Sequence, residues 1–225
     1  MSSKNKLFKF QENETFQCLI QPLSSDLMGK DHPLKGNWNK EFFKNDNPII
    51  LELGCGKGEY TIALAEKYPD KNFIGVDIKG ARIWKGAKYA TVNELNNVGF
   101  IRARIEFITS LFGPEEISEI WVTFADPQIT KPKKRLTSHI FLGRYSQFLK
   151  KDGIIHLKTD SQLLHESTLD VIKEGEHKLI EACNDIYGTG FYEKDEILSV
   201  KTFYEKQFLA KGMPITYLEF SLINK

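Results

Sequence analysis

The chain of 225 residues is 41% hydrophobic and carries a net charge of +1. This hydrophobic content suffices for one substantial core. The balanced charge excludes attraction of nucleic acid by the overall charge of the protein, so any such binding must come from a local basic patch. The cysteines are scattered and no apolar run approaches the roughly 18 residues of a membrane span. We therefore expect a cytoplasmic protein with no metal site and no membrane contact.

The N-terminal part is predicted to be an extension that packs on the core. Residues 1–47 mix polar residues with prolines and glycines that interrupt any period, so irregular structure is expected. Trp38, Phe42 and Phe43 recur at helical spacing, which predicts a small amphipathic helix docked on the core, with a ligand contact as the alternative. Residues 48–225 are expected to form the main domain.

A buried strand that runs into a glycine-rich turn is the most informative feature. The apolar run Ile49–Leu53, interrupted only by Glu52, is typical of a parallel strand buried on both faces. Gly54, Gly56 and Gly58 follow it, and a helix comes next. A strand, a glycine turn and a helix together indicate a nucleotide-type cofactor site.

The spacing of the glycines distinguishes between classes of cofactor. Dinucleotide sites have the pattern G-x-G-x-x-G/A, whereas Glu59 here replaces the last small residue. Glu52 places a carboxylate at the strand exit, where it repels a diphosphate and attracts an ammonium or sulfonium group. S-adenosylmethionine fits that description. The next strand, Asn72–Asp77, ends in an acid about 20 residues later, where ribose hydroxyls are held; the alternative is a structural turn with Asp77 capping a helix.

A helix from Ala81 to Leu95 and a third strand, Val98–Ala103, follow. Four basic residues recur every third position on the other side of this helix: Lys79, Arg82, Lys85 and Lys88. Such a stripe is a solvated face or helps to attract a polyanion. At the exit of the third strand, Ile105 is expected to pack on an adenine ring.

The fourth strand, Ile117–Phe124, runs into a loop with one acid and several cations. Asp126 is expected to project into the cofactor and substrate cleft, because open α/β sheets bind ligands at the carboxyl ends of their strands. Four basic residues follow, close to a proline: Lys131, Lys133, Lys134 and Arg135. This cationic loop adjoins the cleft, so contact with the phosphates of a nucleic acid is expected.

Asp160 follows the fifth strand, Ile154–Lys158, and precedes a helix. It is a good N-cap by type and position, worth about 1 kcal/mol, and it also lies at a carboxyl end where substrate is contacted; both interpretations are open. The remaining predicted elements are a helix over 138–149, a turn over 151–153, a helix over 162–174, a strand over 178–183, a helix over 202–211 and a strand over 215–222. The prediction is an α/β protein with a mostly parallel seven-stranded sheet and helices on both faces.

These motifs resemble those of the tRNA (guanine-N7-)-methyltransferases, which modify the variable-loop guanine conventionally numbered 46. The resemblance runs from about Trp38 to the C-terminus. It rests on Leu51–Gly58, on Phe124–Pro127 with the basic run, on Leu157–Asp160 and on Thr202–Lys206, of which the last two are the more discriminating. It implies a Rossmann-like class I methyltransferase fold, S-adenosylmethionine as cofactor and tRNA as partner, in a monomer or homodimer.

Individual roles carry over from this resemblance. Glu52 and Asp77 match acids that hold the methionine end and the ribose, and Asp126 matches an acid at the junction of cofactor and substrate. Four positions match residues attributed to guanine recognition: Asp160, Thr202, Tyr204 and Glu205. Because methylation leaves positive charge on the base, Asp126 and Asp160 are assigned to catalysis. The alternatives are a methyltransferase for another RNA or a small molecule, and an RNA-binding protein without catalysis.

Overall fold

An eight-stranded sheet forms the centre of the molecule in the computed structural model, which describes residues 3–223. Its strands in chain order are β1 (Leu19–Ile20), β2 (Ile49–Leu53), β3 (Asn72–Asp77), β4 (Val98–Arg102), β5 (Ile117–Thr123), β6 (Leu149–Thr159), β7 (Lys178–Cys183) and β8 (Thr216–Ser221). The seven predicted strands are present. The eighth is β1, a short strand from the N-terminal segment at the edge of the sheet.

The strands lie side by side in the order β1-β4-β3-β2-β5-β6-β8-β7. Every neighbouring pair from β1 to β6 is parallel, and β8 is antiparallel to both β6 and β7. The predicted α/β class with a mostly parallel sheet is confirmed. The strand order reverses between β2 and β5, and open sheets bind ligands at the carboxyl ends beside such a reversal.

Helices cover both faces of the sheet. In the described residues the α-helices are α1 (Ser3–Asn13), α2 (Ser24–Leu27), α3 (Glu59–Lys67), α4 (Gly80–Val92), α5 (His139–Tyr145), α6 (Gln162–Glu174) and α7 (Phe203–Leu209). Helices α3 and α4 pack on one face with Ile50 and Phe73, whereas α5 and α6 pack on the other with Leu51 and Ile74. Because side chains alternate along a strand, one apolar run supplies both cores.

The aromatic residues before β2 pack into the core, as the pattern predicts. Trp38–Phe43 forms a turn of π-helix. Trp38 is fully buried, and its indole Nε1 donates a hydrogen bond to the Leu111 carbonyl at 2.8 Å. The core interpretation of this turn is therefore confirmed.

The prediction of irregular structure in the N-terminal segment is wrong for α1. Glu12 of this helix accepts hydrogen bonds from Trp84 Nε1 at 2.6 Å and Lys88 Nζ at 2.9 Å, both on α4. Of its apolar residues, Leu7 and Phe8 are exposed and Phe10 alone is half-buried. The helix thus buries no apolar stripe that a sequence pattern could reveal, and tertiary contacts stabilise it instead.

The predicted turn Lys151–Gly153 lies inside β6 rather than before it. Leu149 pairs with Ile117, whereas Ile154 pairs with Glu119, so the residues between Leu149 and Ile154 form a bulge against β5. The preceding helix is correspondingly shorter than predicted and ends with α5. Backbone pairing with β5, which local turn residues do not reveal, extends the strand.

Candidate active site

Glu52, near the end of β2, is a buried carboxylate held by three donors. Its Oε2 accepts hydrogen bonds from Thr61 N at 2.9 Å and from Thr61 Oγ1, and its Oε1 accepts one from Thr123 Oγ1 at 2.6 Å. Burial raises the pKa of Glu52 from 4.5 to about 7, although these hydrogen bonds act to lower it. The carboxylate is fixed in orientation, and a nearby cation would favour its ionised form.

The glycine-rich turn after β2 is fastened to the end of β3. Asp77 Oδ2 accepts a hydrogen bond from Gly56 N at 3.0 Å, and its Oδ1 accepts one from Lys79 N at 2.7 Å. Gly54, Gly56 and Gly58 have φ angles between 57° and 79°, a region that glycine adopts without steric cost. The turn therefore places Asp77 and the carboxyl end of β2 side by side, as the sequence predicts.

A cavity of about 320 Å³ lies at the carboxyl ends of β3 and β4. Three residues of the predicted cofactor set line it, Gly54, Asp77 and Ile105. Lys131 and Lys134 of the predicted substrate loop line it as well. Lys131 and Lys134 of the cationic loop thus face the predicted cofactor residues.

A second cavity, of about 70 Å³, adjoins the first at Gly54, which lines both. Its walls include Glu52 and Gly56 from the predicted cofactor set. They also include Thr202 and Tyr204 from the predicted guanine-recognition set. Residues about 150 positions apart in the chain thus share one small space, as a fold with its site at strand ends allows.

Gly58 lines neither cavity, and packing explains why it is a glycine. A Cβ at this position would lie 2.6 Å from Cε1 of Phe100 and 3.3 Å from the Cα of Gly86. Phe100 of β4 and helix α4 therefore lie too close to the turn for a side chain at this position. Contact between Gly58 and a cofactor stays a prediction.

Glu205 lies inside the protein, where both of its carboxylate oxygens have partners. Its Oε1 pairs with Lys158 Nζ at 2.8 Å and accepts a hydrogen bond from Tyr187 Oη at 2.8 Å. Its Oε2 accepts from Thr202 N, while Thr202 Oγ1 accepts from Glu205 N, both at 3.2 Å, which completes a capping box on α7. Glu205 thus positions Thr202, and direct contact of its carboxylate with guanine stays a prediction.

The segment before α7 is held by side chains from the core of the fold. Lys158 Nζ also donates hydrogen bonds to the carbonyls of Leu198 at 2.8 Å and Val200 at 3.0 Å. Tyr60 Oη donates to the Ile197 carbonyl at 3.0 Å. Burial lowers the pKa of Lys158, although the ion pair with Glu205 opposes this. These contacts fix residues 197–200 against β6 and α3.

Glu59 connects the glycine turn to α7 directly. Its Oε2 accepts a hydrogen bond from Phe203 N at 2.7 Å, and its Oε1 accepts one from Lys85 Nζ at 2.9 Å. Burial acts to raise the pKa of Glu59, but these two bonds and the positive charges of Lys85 and Lys57 together lower the pKa. Lys57 Nζ lies 3.5 Å from the centroid of the Phe203 ring. The residue that departs from the dinucleotide pattern thus binds the first residue of α7.

Asp126 is exposed and lines neither cavity. Its Oδ1 accepts a hydrogen bond from Gln128 N at 2.9 Å. Phe124 and Gln128, on either side, have φ angles of 49° and 47°, which are strained for residues with side chains. Phe124 itself lines the smaller cavity. The contact of Asp126 with cofactor or substrate stays a prediction.

The cationic loop presents its side chains in more than one direction. Lys131 and Lys134 line the larger cavity, whereas Lys133 lines a separate groove beside α5 and α6. Arg135 Nε donates a hydrogen bond to the Pro127 carbonyl at 2.9 Å and so ties the two ends of the loop together. Contact of the four cations with RNA stays a prediction.

The helix-capping interpretation of Asp160 is wrong. Ser161 is the N-cap of α6, because its Oγ accepts a hydrogen bond from Leu164 N at 3.2 Å. Asp160 is half-buried beyond the end of β6, and burial raises its pKa. It lines neither cavity, so its contact with substrate stays a prediction.

Three residues of the site were missed in the sequence. Thr61 and Thr123 hold Glu52, and Arg82 lines the smaller cavity. Arg82 belongs to the basic stripe on α4, whose two later lysines are ion-paired within the protein. The available signal for Arg82 was its place in the first turn of the helix that follows Asp77.

No helix between residues 3 and 223 combines the length and the apolar character needed to cross a membrane. Over the same residues, no group of three or more His, Cys, Asp or Glu side chains is arranged to hold a metal ion. The thiols of Cys18, Cys55 and Cys183 are free.

Comparison with known proteins identifies close relatives along nearly the whole chain. A family model described as "Putative methyltransferase" matches residues 46–218. The tRNA (guanine-N(7)-)-methyltransferase of Christiangramia forsetii is 54% identical over 224 residues, covering 99% of this chain and 100% of the relative. The enzyme of the same name from Bacteroides fragilis is 48% identical over 219 residues, covering 97% of this chain and 86% of the relative.

A solved structure with low sequence identity shares the fold. The crystal structure of the 16S rRNA methyltransferase KamB aligns with a TM-score of 0.63 at 13% identity, covering 82% of this chain and 92% of that chain. Together with the strand order, this likeness confirms the Rossmann-like class I methyltransferase fold.

Proposed function

Because the chain belongs to the tRNA (guanine-N(7)-)-methyltransferases, we propose that it transfers the methyl group of S-adenosylmethionine to N7 of a guanine in tRNA. The target we propose is the variable-loop guanine conventionally numbered 46. One observation carries the proposal: Thr202 and Tyr204 line the same cavity as Glu52 and the glycine turn. The residues expected to hold the base and those expected to hold the methyl donor therefore meet.

The two adjoining cavities fit the two ends of S-adenosylmethionine. The larger cavity offers the Asp77 carboxylate to ribose hydroxyls and the Ile105 side chain to an adenine ring. The smaller cavity offers Glu52 to the positively charged methionine end. Burial disfavours ionised Glu52 in the free protein, and a bound cation offsets that cost. A cation bound beside Glu52 would therefore lower the pKa of this carboxylate.

The reaction makes modest chemical demands on the protein. Guanine N7 carries an in-plane lone pair and no proton, so its methylation needs no general base, and alignment dominates. When bound, S-adenosylmethionine supplies an electrophilic methyl carbon. Asp126 and Asp160 lie at the ends of neighbouring strands, where a carboxylate stabilises the positive charge that develops on the base. A carboxylate that accepts the N1 and N2 hydrogens selects guanine over adenine.

The RNA has to present the base to this site. Reaching N7 from the protein side requires the guanine to leave its stack. Lys131 and Lys134 lie at the larger cavity, where they can hold the backbone close to the cofactor. Lys133 and Arg135 extend the same loop and add phosphate contacts.

The test is a methylation assay with purified protein, labelled S-adenosylmethionine and two tRNA transcripts, one with guanine and one with adenine at position 46. We expect label in the first transcript alone, mapped to N7. Asp160→Ala is expected to lower kcat by about 100-fold, the usual cost of a lost electrostatic contact to developing charge. Asp152→Ala, an exposed aspartate in the bulge of the same strand, is the matched control.

Three results would contradict the proposal. Methylation at an atom other than N7 would refute the reaction, and equal labelling of the two transcripts would refute the position. Full activity of the Asp160→Ala variant and of the Glu205→Ala variant would refute the assignment of these residues to guanine recognition.

A further inference from the structure

Arg82 presents an uncompensated positive charge to the smaller cavity. It lines that cavity, and its guanidinium has no hydrogen-bond or ion-pair partner among residues 3–223. The guanidinium carbon lies 5.6 Å from the centroid of the Tyr204 ring. The other basic residue of the cavity, Lys57, has its ammonium over the ring of Phe203 at 3.5 Å. Arg82 is therefore the cation best placed to take an anionic ligand in this space.

The position of Arg82 is fixed by close packing between α4 and the glycine turn. A Cβ added at Gly86 would lie 2.8 Å from the Lys57 carbonyl oxygen and 3.2 Å from the Cα of Gly58. Helix α4 can approach the turn this closely because both contact positions are glycines. Arg82 lies about one turn before Gly86 on the same helix, so this packing carries it to the wall of the cavity.

The charges of the expected ligand favour a cation at this wall. The methionine end of S-adenosylmethionine carries an ammonium, a sulfonium and a carboxylate. Glu52 and Glu59 of the cavity suit the two cations but repel the carboxylate. A planar guanidinium offers paired N–H donors that match a carboxylate in geometry and charge.

We infer that Arg82 binds the α-carboxylate of the methionine end of the cofactor. This inference rests on the proposed function, since it takes S-adenosylmethionine as the ligand. It has a consequence for the substrate side of the site. Because the guanidinium faces the ring of Tyr204, holding the carboxylate also fixes one wall of the space in which the guanine is expected to lie.

The experiment pairs a change in the protein with a change in the ligand. Isothermal titration calorimetry compares S-adenosylhomocysteine with its decarboxylated analogue, S-adenosyl-3-thiopropylamine, on the full-length wild type and on Arg82→Gln. We expect Arg82→Gln to raise the Kd of S-adenosylhomocysteine by about tenfold or more, the usual effect of a lost charge-assisted pair. The Kd of the decarboxylated analogue is expected to change less than about twofold. Arg82→Gln would then weaken binding only of the ligand that carries the carboxylate, which is a coupling between the substitution and that group.

A matched control removes the same charge from the same helix. Lys88→Ala changes a residue whose ammonium is bound to Glu12 at 2.9 Å and which does not line the cavity. It is expected to leave both Kd values within about twofold of wild type. The ratio of the two Kd values within one variant does not depend on how much of the sample is folded, so partial misfolding of Arg82→Gln does not obscure the result.

Each alternative result has a distinct meaning. Equal weakening of the two ligands by Arg82→Gln would overturn the inference, as would the carboxylate-specific loss appearing in Lys57→Ala instead. Unchanged binding of both ligands together with weaker binding of tRNA would assign Arg82 to the RNA and also overturn it. A wild-type protein that binds neither ligand would refute the cofactor of the proposed function, which is a separate failure.

Discussion

Replacing Glu52 with Gln should stabilise the cofactor-free protein at alkaline pH. The pKa of Glu52 is raised from 4.5 to about 7 in the fold, chiefly by burial. Between these two values the folded protein binds a proton that the unfolded chain has lost, so folding stability falls as pH rises through this window. The cost is about 1 kcal/mol at pH 5 and about 3 kcal/mol at pH 8, and it stays constant above that.

The substitution keeps the hydrogen bonds that hold the side chain. The amide oxygen of Gln can accept from Thr61 N and Thr61 Oγ1, and its NH₂ can donate to Thr123 Oγ1, in place of the bonds that Glu52 accepts. What disappears is the buried ionisable group. We therefore expect Glu52→Gln to gain about 3 kcal/mol over wild type at pH 8 and about 1 kcal/mol at pH 5.

The assay is urea unfolding of both proteins without cofactor at pH 5 and pH 8, with the difference in unfolding free energy taken at each pH. Titrations common to both proteins cancel in that difference. Glu66→Gln, an exposed carboxylate of α3 bound to Tyr89 Oη at 2.7 Å, serves as the control and should show the same difference at both values. A Glu52→Gln protein whose advantage does not grow between pH 5 and pH 8 would refute the reasoning.

The other predictions concern binding and folding. The affinity of the wild type for S-adenosylmethionine should rise as pH increases from 6 to 7.5. The positively charged ligand favours ionised Glu52, and a carboxyl with a pKa near 7 must first release its proton. An affinity that calorimetry finds to be independent of pH would contradict this. Replacing both Lys131 and Lys134 with Ala should reduce the slope of log K for tRNA binding against the logarithm of the salt concentration by about 1.4 to 1.8, since two phosphate contacts are lost. An unchanged slope in filter binding would show that the two lysines do not contact the RNA. Lys158→Met should lower the unfolding free energy by about 3 kcal/mol or more, because it leaves the carboxylate of Glu205 buried without its cation. A loss below about 1 kcal/mol in urea unfolding would show that this ion pair contributes little to stability.

Local sequence patterns were enough to predict the strand, the glycine turn and the acids around the candidate site. The apolar run of β2 is buried along its whole length, which is what a strand covered by helices on both faces requires. Its glycines, and the acid at the end of β3, follow from the geometry of a tight turn beside a parallel strand. These features involve neighbours in the chain or in the sheet, so a pattern of a few residues is enough to predict them.

Contacts between distant parts of the chain accounted for the rest. Glu59 and Phe203 are 144 residues apart, and nothing in the sequence around either residue indicates that they form a hydrogen bond. The buried pair of Lys158 and Glu205 likewise exists because the segment between β7 and β8 folds back over β6. Whether Glu205 faces a ligand or the interior depends on that docking.

Local patterns predicted the succession of strands and helices from β2 onward, the glycine turn and the acids that flank it, because periodicity and turn chemistry are local properties of the chain. Which side chains line a common cavity, and which form hydrogen bonds or ion pairs inside the protein, depends on the packing of the whole fold. Arg82 reaches the smaller cavity because two glycines let a helix approach the turn closely. That approach distance is set by packing across the fold, and no run of residues encodes it locally.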